Sequence, residues 1–119
     1  MDNPDKSGPK FYKKGKYKSK KTKIVEYYAS GFELMWMKKL DTDDDVIYWT
    51  KKHKIKIPYL YKNKTRNYIP DFLITYMNEH KLLLEVKGRI YNQEIINQKN
   101  KVAIEYCKKL NIEYKIIYQ

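Results

Sequence analysis

The sequence predicts a mixed α/β domain with a central sheet covered by helices. Three observations predict it: two stretches with three- and four-residue apolar spacing, five runs rich in β-branched and aromatic residues, and a length of 119 residues, which suits one core. From Ser30 to Leu40, residues Phe32, Trp36, Met37 and Leu40 share a helical face, and Ser30 is placed to cap it. Asp41, Asp43, Asp44 and Asp45 end this helix. They begin like a calcium loop, but Val46 stands where glycine is needed and Lys52 where glutamate is needed, so they read as a solvated helix end. Short strands are predicted at Val46–Trp49 and Ile55–Tyr61, and a turn at 62–64. Two stronger strands follow, Tyr68–Tyr76 and His80–Lys87, joined around Asn78. Gly88 ends this pattern. Gln93–Leu110 reads as a long amphipathic helix and Ile112–Tyr118 as a last strand, giving the order helix, four strands, helix, strand.

Charge narrows the function. Lys and Arg number 26 against 14 Asp and Glu, a net +12, which calls for a polyanionic partner, most commonly nucleic acid. Residues 1–24 hold nine Lys and two Asp, with Pro and Gly punctuation and no apolar periodicity, and are expected to form a basic, flexible arm. Lys13, Lys14, Lys16, Lys18, Lys20, Lys21 and Lys23 of this arm, together with Arg89, are the residues expected on DNA. Tyr12, Tyr17, Tyr27 and Tyr28 lie among or just after these lysines, as aromatics do in single-strand binders, although packing or solvation competes with stacking for each. The folded domain is expected over 25–119. A lone Cys107 and two histidines leave no zinc set and no disulfide. No apolar run of membrane length or signal type occurs, so the cytoplasm is the expected location.

Three charges stand in otherwise apolar strands: Asp71, Glu85 and Lys87. Ionised groups in a buried strand cost several kcal/mol unless compensated. Alternation puts Glu85 and Lys87 on one face, and a turn centred on Asn78 puts Asp71 opposite Glu85. Two carboxylates at that spacing repel unless a cation lies between them, and Mg²⁺ suits two carboxylates completed by water and phosphate oxygens. On the second helix, Lys99 falls within the stripe of Ile95, Ile96, Val102, Ala103, Tyr106 and Leu110, where it either snorkels outward or serves a phosphate site. On the first helix, Glu33 can point inward, or close a capping box with Ser30.

Pro70-Asp71 and Glu85-Val86-Lys87 resemble the motif of the PD-(D/E)XK nuclease superfamily. The longer set Ser30-Gly31-Phe32-Glu33, Leu40-Asp41, Ile57-Pro58-Tyr59, Tyr68 to Phe72, Glu85 to Gly88, and Lys99 with Ala103 and Tyr106-Cys107 is similar to the TnsA-type endonuclease family, and within it to the branch of phage head completion nucleases. The resemblance implies a restriction-endonuclease-like core that cuts DNA with Mg²⁺, for which Mn²⁺ substitutes. It assigns Glu33, Asp71 and Glu85 to the metal, Lys87 to catalysis, and Lys99 to the helix position facing the site. Gly88-Arg89 departs from the Lys-Pro and long insertion expected in the phage branch, which leaves substrate choice and biological role open. DNA is the implied partner, with a second copy of the chain or a phage or transposition protein beside it, in the host cytoplasm or the virion. The competing class is a module on the same fold that binds DNA structure, or a capsid or transposase partner, without cutting.

Overall fold

A computed structural model of the protein describes residues 14–87 and 92–119. At its centre is a four-stranded mixed sheet in the order β3-β6-β7-β8, formed by β3 (Val46–Thr50), β6 (Phe72–Tyr76), β7 (Lys81–Lys87) and β8 (Glu113–Tyr118). The first three strands are antiparallel neighbours, whereas β8 runs parallel to β7. A parallel return needs a crossover, and α2 (Gln93–Lys109) supplies it.

Alternation along β6 and β7 splits the core into two layers. Phe72, Ile74, Leu82, Leu84 and Val86 face α1 (Gly31–Thr42), whose Phe32, Met37 and Leu40 join them together with Val46 and Trp49 of β3. Leu73 and Leu83 face the other way, onto Ala103 and Cys107 of α2 and onto the hairpin of β4 (Ile57–Tyr61) and β5 (Lys64–Tyr68). Leu110, expected on the inner stripe of α2, is exposed instead. The helix ends just before it in a Schellman motif, with Ile112 N–H on Cys107 O (2.9 Å), Asn111 N–H on Lys108 O (3.2 Å) and Asn111 at φ 59°.

The β4–β5 hairpin divides what reads as one strand over Tyr68–Tyr76. Lys62 and Asn63 both take positive φ (51° and 63°), the requirement of a two-residue I′ turn, so the chain folds back through Lys64–Tyr68. Of β5 only Tyr68 is buried, which leaves no alternation to read.

The largest departure from the sequence reading is at the start of the chain. Residues 1–13 lie outside the described residues, but from Lys14 onward the expected arm is folded: β1 (Gly15–Lys18) pairs antiparallel with β2 (Val25–Tyr28). Asp41, expected to be solvated, fastens it. Its carboxylate accepts from Tyr17 Oη (2.6 Å), Ser19 Oγ (2.7 Å), Lys20 N–H (2.7 Å) and Trp49 Nε1 (2.8 Å). A second tie is Glu26, fully buried, which accepts from Thr50 Oγ1 (2.7 Å) and the Lys51 amide (3.2 Å). These inward contacts are polar, so the segment shows no apolar period.

Candidate active site

The β6–β7 turn sets the geometry. Tyr76 N–H bonds His80 O, and the ladder pairs Thr75 with Lys81 through to Phe72 with Leu84. One step further brings Asp71 opposite Glu85, on the layer that holds Leu73 and Leu83. The two carboxylates bind each other's backbone: Asp71 N–H donates to Glu85 Oε1 (3.1 Å) and Val86 N–H donates to Asp71 Oδ2 (2.9 Å). Pro70 is buried, and its carbonyl accepts from His53 Nε2 at 2.6 Å. Because His53 Nδ1 accepts from the Ile55 amide (3.3 Å), the ring proton belongs on Nε2. His53 thus fixes the turn that presents Asp71.

Burial, the adjacent Glu85 charge and the more remote Glu33 charge push the Asp71 carboxyl up to about 7, against the Val86 amide and the Lys51 ammonium. A pair that holds a proton near neutrality lacks positive charge. Lys87 supplies part of it, with Nζ 3.2 Å from Glu85 Oε2. Lys99 stands across the cleft, its ammonium 4.9 Å from the Tyr68 ring centre and 5.7 Å from that of Tyr59. Burial lowers its pKa, Lys87 and Arg66 lower it further, and Glu85 and Asp71 oppose them. All four charged groups are therefore felt at Lys99 Nζ. Tyr68 lies against the same cleft and shares a hydrogen bond with Tyr114 Oη (2.8 Å), which donates to Asn100 Oδ1 (2.7 Å). Burial first, then the Glu85 charge, raises the Tyr68 pKa, keeping the phenol protonated.

Among the described residues Glu33 makes no direct hydrogen bond to the carboxylate pair, although its charge is felt at Asp71. It belongs to α1, on the opposite layer, and its Oε1 accepts from the Ala29 amide (3.0 Å) and pairs with Lys51 Nζ (2.5 Å), while Ser30 Oγ caps the Glu33 amide (3.1 Å). The capping role is thus realised, shifted by one residue to Ala29. Among the described residues, no three His, Cys, Asp or Glu side chains form a common ion site. The two carboxylates brought directly together are Asp71 and Glu85. Both are hard oxygen donors, and Asp71 Oδ1 has no hydrogen-bond partner among the described residues, a donor chemistry that fits a divalent cation.

Of the lysines expected on DNA, Lys14, Lys16, Lys18, Lys20 and Lys23 are exposed on or beside the β1–β2 hairpin. The Lys21 ammonium is bound by the carbonyls of Asp43 and Val46. Lys13 and Arg89 lie outside the described residues. Sequence reasoning missed Lys51, His53 and Arg66. The run Lys51-Lys52-His53-Lys54 has no periodicity, and only the fold brings it against Glu33 and Pro70.

Residues 43–119 match the family described as TnsA-like endonuclease N terminal. The chain belongs to this family. Membership makes it a nuclease domain and DNA its substrate, and the mixed sheet with two helices is compatible with a restriction-endonuclease-like fold. Within the TnsA-like match lie Asp71, Glu85, Lys87 and Lys99; Glu33 and the β1–β2 hairpin precede it. No curated protein matches the chain. No helix among the described residues is long and apolar enough to cross a membrane.

Proposed function

We propose that this domain is a Mg²⁺-dependent DNA endonuclease of the PD-(D/E)XK type, serving DNA processing in a phage or mobile element, such as head completion or end cleavage. The chemistry rests on one observation: Asp71 and Glu85 are locked face to face at the end of the β6–β7 ladder, with Lys87 3.2 Å from Glu85. The biological setting rests on the resemblance of the motifs alone.

A bound divalent ion would be held by Asp71 and Glu85, with Mn²⁺ able to replace Mg²⁺, and would lower the pKa of water and neutralise phosphate charge. The chain's own groups do the rest. Lys87, Lys99 and Arg66 place positive charge over two carboxylates that would otherwise repel a phosphodiester. Lys87, partly exposed while tethered to Glu85, donates to the phosphate oxygens as water attacks phosphorus. The new P–O bond forms to the water oxygen, the bond to the sugar oxygen breaks, and that oxygen takes up a proton. Fixed donors help here because they need no reorganisation as charge develops. A double-strand break takes two such sites, from a second copy or from a phage or transposition partner.

Nicking of supercoiled plasmid tests the reading directly. Wild type is expected to cut in Mg²⁺ and not in EDTA, and Lys87→Met to lose about 10²-fold or more. Cutting that survives EDTA refutes the metal dependence; a wild type inert on every DNA form leaves a binding module instead. Lys99→Met is expected to keep the fold and slow cleavage, because the Tyr59 and Tyr68 rings accept a neutral chain of that length. An unchanged rate assigns Lys99 to snorkelling.

A further inference from the structure

The β1–β2 hairpin carries a groove of about 460 Å³ lined by Lys14, Gly15, Lys16, Tyr27, Tyr28, Ala29 and Lys51. Its walls are tyrosine rings and small residues, and three lysines rim it. We infer that this groove binds unpaired nucleotides of the DNA substrate, with Tyr27 as the stacking platform and Lys14, Lys16 and Lys51 drawing the phosphates. The inference deepens the nuclease reading and rests on it for the identity of the strand.

The structure separates the hairpin tyrosines. Tyr17 bonds Asp41 and stacks on Trp49 with ring centres 6.4 Å apart. Tyr28 packs against the α1 layer and lies across Gly15, where a Cβ would come within 2.5 Å of its hydroxyl. Of these three Tyr27 is the exposed one, at 60 %, although strand residues with rings that large normally pack. Pairing places Lys16 directly opposite it, with the ammonium 5.6 Å from the ring centre. A phosphate attracted to Lys16 therefore carries its base to the Tyr27 face. In a duplex that face of the base is already stacked on its neighbour, so the platform rewards unpaired nucleotides.

Lys51 connects groove and site. It lines the groove, its ammonium pairs with Glu33, and its charge is felt at Asp71. Lys51 is thus a groove residue whose charge reaches the carboxylate pair, so a strand that occupied both would run past it. The arrangement suits cutting beside a frayed end, flap or branch, where one strand leaves the duplex.

Fluorescence anisotropy in EDTA tests this without cleavage, using one labelled oligonucleotide either single-stranded or as a blunt duplex. Tyr27→Ala is expected to weaken single-strand binding by about 5- to 100-fold, the worth of one stacked base, and to leave duplex binding within about twofold. Tyr27→Phe should bind as wild type. Replacing Lys14 and Lys16 with Gln should lower the single-strand salt slope by about 1.4. Tyr27 is exposed, so a melting curve matching wild type verifies the fold. Equal losses on both DNA forms, or none on either, would overturn the assignment. The two readings fail separately: single-strand binding that depends on Tyr27 without plasmid cutting refutes the nuclease and keeps the groove, whereas cutting with Tyr27-independent binding does the reverse.

Discussion

Asp71→Asn is expected to slow cleavage by orders of magnitude and, at pH 8 without divalent ions, to make the protein more stable. The two effects share one cause. In the folded chain Asp71 is raised from 3.8 to about 7 by burial and by Glu85, so ionising it at pH 8 strains the native state. For a carboxyl with a raised folded pKa, the penalty begins as pH passes the unfolded value near 4. It grows until the folded value is passed and stays constant above it. A shift of this size corresponds to about 4 kcal/mol, and charge shared with Glu85 and Lys51 reduces the recoverable part to about 2–4 kcal/mol. Asparagine removes the charge and keeps an oxygen for the Val86 amide.

A rise in melting temperature of roughly 5–15 °C is therefore expected for Asp71→Asn at pH 8, shrinking towards zero at pH 4. Mg²⁺ should raise the melting temperature of wild type and leave the variant unmoved, since only the paired carboxylates gain from a bound cation. Cleavage should fall by about 10²–10³-fold, the usual loss when a preorganised electrostatic group leaves a reacting centre. A variant less stable than wild type at pH 8 would show that Asp71 holds the turn structurally and is no strained site residue.

The carboxylate pair was legible because it rests on local rules. Strand alternation and a turn around Asn78 put Asp71 against Glu85, and helical periodicity put Lys99 on the stripe of α2 that reaches the same cleft. What escaped had no local rule. Lys51 and His53 act across the fold on Glu33 and Pro70 from a stretch without period. Along β1 and the residue after it the lysines do alternate with inward residues, but these are Gly15, Tyr17 and Ser19, held by hydrogen bonds and a neighbouring ring where a strand pattern calls for aliphatic side chains. The family match begins at residue 43, beyond this hairpin, so neither pattern nor kinship marks the segment as folded.

Asp41 therefore carries the second large expected effect. Asp41→Ala should destabilise the protein by about 2–4 kcal/mol, because four donors lose one acceptor and two of them, Ser19 and Trp49, belong to residues that are almost fully buried. Asparagine is a poor substitute, since its amide turns donors toward donors. Burial raises the Asp41 pKa, but the hydrogen bonds from Tyr17, Ser19, Trp49 and the Lys20 amide outweigh it and hold the carboxyl below its usual value. With a depressed folded pKa, the stabilisation is fully present above the unfolded value near 4 and is lost as pH falls through the folded value. Urea unfolding should thus show a large gap between wild type and Asp41→Asn at pH 7, one that narrows below about pH 4 as wild type surrenders its charge-assisted bonds. The hairpin also bears the Tyr27 groove, so Asp41→Ala should weaken single-strand binding although no atom of Asp41 lines that groove. A pH-independent gap would remove the ionised carboxylate from the account and leave only its packing.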